Sequence, residues 1–134
     1  MSTVAEVERL AASMYIALTT FRKDGTPVPT PVWVSSEGDR LYVWTQGDSG
    51  KVKRLRNDDR VTVAPSDGRG VPQGEAVEGT ARVLDEPAEL THVESLHKAK
   101  YGLQFRLFDT GAKIFRRNRP LCAIEITVAS PEVA

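Results

Sequence analysis

Apolar residues recur along this chain first at helical spacing, then with the alternation of strands. Val4, Val7, Leu10 and Ala11 follow a Thr3-Val4-Ala5-Glu6 capping-box pattern, so a short amphipathic helix is predicted to open the chain and stop near Ser13. Ile16 to Phe21 is rich in β-formers, Arg22-Lys23-Asp24-Gly25 is a turn signal, and an extended run then reaches Ser35. Glu37-Gly38-Asp39 turns the chain into Arg40-Leu41-Tyr42-Val43-Trp44-Thr45, which makes three successive antiparallel strands. A basic helix follows.

Arg60 to Ala64 reads as a fourth strand, and the glycines and prolines between Pro65 and Gly74 predict a mobile loop. In the fifth strand, Glu75 to Leu84, Val77, Gly79, Ala81 and Val83 share one face and Glu78, Thr80 and Arg82 the other. The small residues at its centre allow close approach by another strand or a second subunit. Asp85-Glu86-Pro87 starts a helix whose stripe, Leu90, Val93, Leu96 and His97, runs on to a Gly102 cap. Leu103, Leu107, Phe108, Gly111, Ile114 and Phe115 fit a further helical face ending before Pro120, and Leu121 to Val128 is the last strand. Six strands with three or four helices predict a mainly β fold, a small six-stranded antiparallel barrel with helical insertions. A doubly wound parallel sheet would need helices between strands of the first half, where none is predicted.

Pro27, Pro29 and Pro31 alternate within the second strand, so their missing N–H groups all fall on one edge. That edge cannot carry a full ladder, whereas the N–H groups of Val28, Thr30 and Val32 leave the other edge competent to pair. The strand is expected at a sheet edge or a barrel opening, where the prolines also guard against aggregation.

With 134 residues the chain is expected to be one domain, residues 1–134, with a frayed tail at 130–134. Lysine plus arginine number 18, as do aspartate plus glutamate, so net charge offers no general attraction for nucleic acid or an acidic membrane. Cys122, the lone cysteine, sits in an apolar run and reads as core. With no signal-peptide pattern and no apolar run near ~20 residues, a cytoplasmic location is expected.

Any anion site must therefore be local, and one stretch qualifies. Thr45-Gln46-Gly47-Asp48-Ser49-Gly50-Lys51-Val52-Lys53-Arg54 leads from a strand through a Gly/Asp/Ser turn into a helix. Unpaired N–H groups at a helix start, with Lys51 in the first turn and Arg54 three residues on, suit a phosphate. A solvated basic face, partly balanced by Asp48, Asp58 and Asp59, is the competing reading. His92 and His97 lie five apart and do not share a helix face, so no metal set is expected. No nucleophile elbow, P-loop or Rossmann glycine pattern is present, so an enzymatic role would borrow its reactive atoms from a cofactor.

Read together, Leu18 to Pro27, Thr30-Pro31-Val32-Trp33, Leu41 to Thr45 and Ser49 to Arg56 resemble the pyridoxamine 5′-phosphate oxidase-like split β-barrel superfamily. Within it, they resemble the deazaflavin (coenzyme F420)-dependent oxidoreductases. The resemblance spans about residues 10–128 and implies an FMN-binding split-barrel type fold and a homodimer with two cofactor clefts at the subunit interface. It implies a phosphate-holding turn at Thr45, Ser49, Gly50 and Lys51, with Arg54 one helical turn further on. Thr30, Pro31, Val32 and Trp33 would run beside the tricyclic ring. Val63 to Gly70, with Pro65 and Arg69, would lie near the cofactor.

The implied activity is hydride transfer between F420 and a small organic substrate, with Tyr101, Tyr42 and Arg69 as candidate polarising groups. Alternatives are an FMN-dependent oxidase or reductase of the same fold, and a non-catalytic deazaflavin or tetrapyrrole carrier. Lys53, Arg56, Lys113, Arg116, Arg117 and Arg119 could attract the acidic tail of a deazaflavin, against the reading that they are merely solvated.

Overall fold

The computed structural model describes residues 3–46, 50–102 and 121–128. In chain order these form α1 (Thr3–Ala11), β1 (Tyr15–Phe21), β2 (Pro27–Glu37), β3 (Arg40–Gln46), α2 (Gly50–Asn57), β4 (Arg60–Ser66), β5 (Val77–Leu84), α3 (Pro87–Tyr101) and β6 (Leu121–Val128). The helical face expected over Leu103 to Phe115, the basic residues from Lys113 to Arg119, and the 130–134 tail lie outside the described residues.

The six strands close into an antiparallel barrel in the order β1-β2-β3-β6-β5-β4, with β4 returning to β1. Alternation assigns the faces. Ile16, Leu18, Val32, Val34, Leu41, Val43, Val61, Val63, Ile124 and Ile126 are buried in one core, joined by Val7 and Leu10 of α1 and by Val52 and Leu55 of α2. Alternate positions Tyr42 and Ala123 face the other way, under Val93 of α3. The interior therefore holds side chains, and any ligand must sit at its margins.

β2 changes partners along its length. Pro27 to Trp33 pair with β1, whereas only Val34 to Glu37 pair with β3. In the β1 ladder the prolines stand opposite Phe21, Thr19 and Ala17. A proline cannot exchange both bonds of an antiparallel rung, so these must be the non-bonded positions. Their other edge, where β3 would continue, carries no ladder, so the opening expected from the proline spacing is present and lies between β2 and β3.

Two further expectations gain particulars. A Cβ on Gly79 would lie 2.6 Å from the Thr127 carbonyl oxygen, so the close neighbour of β5 is β6 of the same chain. The segment after β4, expected to be mobile, is laced instead by Asp67, whose carboxylate accepts the N–H groups of Arg69 at 2.8 Å and Val71 at 3.0 Å. The Gln73 N–H returns to the Pro65 carbonyl at 2.7 Å. Composition reports the glycines and prolines of such a turn but not the carboxylate that organises it.

Candidate functional site

The site is built where β2 and β3 part. Thr45 is the last buried position described on β3, set on the inner face by its alternation with Leu41 and Val43. Ser49 falls outside the described residues. Gly50 opens α2, and burial of Val52 and Leu55 docks that helix against the barrel core. Lys51 and Arg54, flanking the buried stripe, are each half-buried, while Lys53 and Arg56 are exposed.

Arg54 donates from Nε to Thr20 Oγ1 at 2.6 Å. Its guanidinium lies so close to Gly50 that a Cβ there would be 2.9 Å from Nη1. Thr20 is fully buried and is the ladder partner of Val28, so Arg54 reaches within one strand of the proline-bearing edge. Burial pushes the Lys51 ammonium below its ordinary pKa, and the neighbouring Arg54 charge pushes the same way. Arg54 is lowered by burial and by the charge of Arg22 in the β1–β2 turn. Among the described residues no carboxylate pairs with Lys51 or Arg54. Two desolvated cations at a helix start make a local field suited to an anion.

Of the β2 residues expected beside a ring, Val32 points into the core, while Thr30, Pro31 and Trp33 are half-buried. Pro31 abuts the turn after β4, since a Cβ on Gly70 would lie 3.3 Å from its Cδ. Arg69 extends from that turn, strongly exposed and 3.4 Å from Asp67. Pro65 is buried beside Gly74 and committed within its own chain, its carbonyl taking the Gln73 N–H. The expected residues thus fall into two groups, with Thr45, Gly50, Lys51 and Arg54 at the β3–α2 corner, from which Arg54 reaches β1, and Pro31, Trp33 and Arg69 on β2 and the turn after β4.

The tyrosines considered as polarising groups are otherwise engaged. Tyr101 accepts the Val34 N–H at 2.9 Å, and its hydroxyl lies 2.7 Å from the Met14 carbonyl. Tyr42 donates to Glu125 at 3.2 Å on the side covered by α3. Burial holds both phenols near a pKa of about 12, so neither is a ready proton donor at neutral pH.

Thr20 was not among the residues expected at the site, although its polarity at an inner position after Ile16 and Leu18 is a readable signal. The contacts of α3 with β2 carried none, because those residues lie more than 60 positions apart in sequence.

A model of the pyridoxamine 5′-phosphate oxidase family matches residues 3–131. A search of curated proteins finds no match. Among solved structures, the chain is similar to a conserved hypothetical protein from Mycobacterium tuberculosis, with a TM-score of 0.71 at 22% identity, covering 96% of this chain and 81% of that one. An F420 reductase aligns with a TM-score of 0.62 at 17% identity, over 91% of this chain and 92% of that one. An FAD-binding protein from Mesorhizobium loti aligns with a TM-score of 0.63 at 18% identity, over 96% and 88%. Identities this low speak for the fold, while the family match takes in nearly the whole sequence and the described barrel with it. The chain belongs to the pyridoxamine 5′-phosphate oxidase family and has its split-barrel fold.

Proposed function

We propose that this chain is a deazaflavin-dependent oxidoreductase that holds coenzyme F420 across the β2–β3 opening. Lys51 and Arg54 take the phosphorylated end together with Thr45, Ser49 and Gly50. The ring lies along the stretch of β2 from Thr30 to Trp33 that makes no ladder with β3, and the turn carrying Arg69 borders its far side. Two observations carry this reading: a proline-bearing stretch of β2 that makes no ladder with β3, and two half-buried cations at the start of α2, without a carboxylate partner among the described residues, one of which, Arg54, reaches Thr20 on the neighbouring strand β1. Family membership and likeness to an F420 reductase support a redox coenzyme.

The coenzyme, when bound, supplies the hydride chemistry with a small organic substrate. The chain's own residues fix the phosphate, present backbone groups to the ring and keep water from one of its faces. A second copy completes the cleft in a homodimer, and the protein works in the cytoplasm. No helix among the described residues is long and apolar enough to cross a membrane.

FMN in the same cleft is the second reading, favoured by likeness to an FAD-binding protein. Fluorescence titration of the wild type, Lys51→Ala and Arg54→Ala with F420 and FMN separates the two. The expected result is F420 binding that falls sharply in both variants. Tight FMN binding without F420 affinity would reverse the choice, and wild type that binds neither would end both readings.

A further inference from the structure

Three side chains of α3 converge on one short stretch of β2, at the point where that strand leaves β1 for β3. His97 Nδ1 lies 2.8 Å from Ser35 Oγ, and the His97 ring also meets the backbone of Trp33. Lys100 Nζ donates to the Val34 carbonyl at 2.6 Å and to the Ser13 carbonyl at 2.8 Å. Tyr101 Oη accepts the Val34 N–H at 2.9 Å and lies 2.7 Å from the Met14 carbonyl and 2.9 Å from that of Val34.

Register explains the need. Val34 has the parity of Val28, Thr30 and Val32, so its N–H and carbonyl face β1. The last β1 rung joins Tyr15 to Trp33, and Val34 lies one residue beyond it. The Tyr101 hydroxyl stands in for the missing rung, between Val34 and Met14. The Tyr101 ring stacks on Trp33 with centroids 4.5 Å apart and planes 14° from parallel, so one side chain fixes both the backbone at the fork and the aromatic that precedes it on β2.

We infer that Tyr101 is a positioning residue for the ring-binding edge of β2, acting through Val34 and Trp33 and not on the phosphate; this rests on the coenzyme reading above. Its hydroxyl holds β2 at the angle that keeps the Thr30–Trp33 stretch out of the β3 ladder, and Lys100 reinforces it from the same carbonyl. Arg54 of the phosphate corner meets Thr20 opposite Val28, well down β2 from Val34, so its loss and that of Tyr101 are separable by experiment.

The test uses the full chain as wild type, Tyr101→Phe, which keeps the stack and loses the hydroxyl, and Lys100→Met. Each is titrated with F420, with FMN and with inorganic phosphate, and Val34 amide exchange is measured without ligand. Tyr101→Phe is expected to weaken whichever coenzyme the wild type binds about tenfold and Lys100→Met about threefold, with phosphate affinity within twofold of wild type and faster exchange at Val34 in both. Should Tyr101→Phe prove too unstable to titrate, Lys100→Met alone decides. Unchanged coenzyme affinity, or parallel loss of coenzyme and phosphate, overturns the positioning role. Wild type that takes phosphate but neither coenzyme instead overturns the coenzyme reading and this inference with it.

Discussion

Arg54 meets Thr20 at 2.6 Å, a bond between α2 and β1 whose geometry depends on residue 50 being glycine. The guanidinium occupies the space a side chain would take at the helix start. A cation at a helix N-terminus is unfavourable by itself, and burial and the Arg22 charge add to the cost, so the arrangement favours an anion. Gly50→Ala tests the dependence. The atom in the way is the end of a flexible side chain, so the fold is expected to survive with a stability change within about 1 kcal/mol, as alanine also favours the helix. Arg54 is displaced, and coenzyme binding by calorimetry weakens several-fold. Unaltered binding would show that Arg54 does not need its contact with Thr20.

Lys51→Met separates binding from stability. Methionine keeps the apolar stem and removes a half-buried charge, so the unliganded protein is expected to gain up to about 1 kcal/mol, seen as a higher Tm. Charge-assisted bonds to phosphate contribute roughly 1.5–3 kcal/mol, so coenzyme affinity is expected to fall about 10- to 100-fold. A lower Tm would instead assign Lys51 a structural role.

His97 makes stability pH-dependent. Burial lowers its pKa from 6.5 to about 4 in the folded chain. Between those values the unfolded state binds more protons, so stability rises with pH across the window and is lost on acidification from pH 6.5 towards pH 4. Between pH 7 and pH 5 the His97 contribution amounts to about 2 kcal/mol. Urea titrations of wild type and His97→Gln at both pH values are expected to differ in pH dependence by about that amount; equal slopes would show that His97 titrates normally.

Gly79→Ala addresses the seam between β5 and β6. The new methyl would lie 2.6 Å from a backbone oxygen that cannot rotate away, so the strands must separate. The expected loss is about 1–3 kcal/mol by chemical denaturation. An unchanged midpoint would mean that the seam yields without loss.

The order of elements was legible in the residues because period-two alternation, turn residues at Gly25 and Gly38, and Pro87 with Gly102 around α3 are local signals that the chain obeys. The proline spacing in β2 also disclosed an edge without a full ladder, since a missing N–H is a covalent fact that no tertiary contact can restore. Partners were another matter. Alternation assigns a face but never a neighbour, so only the closed barrel decides that β6 is inserted between β3 and β5 and that Gly79 meets Thr127. The same holds for Arg54 on Thr20, 34 residues away, and Tyr101 on Val34, 67 residues away, because these pairings depend on how the whole barrel is packed. The sequence by itself determined the order of the described elements and the β2 edge that cannot carry a full ladder, because these are local and covalent; the tertiary structure decided which distant residues meet, because those contacts depend on how the barrel closes.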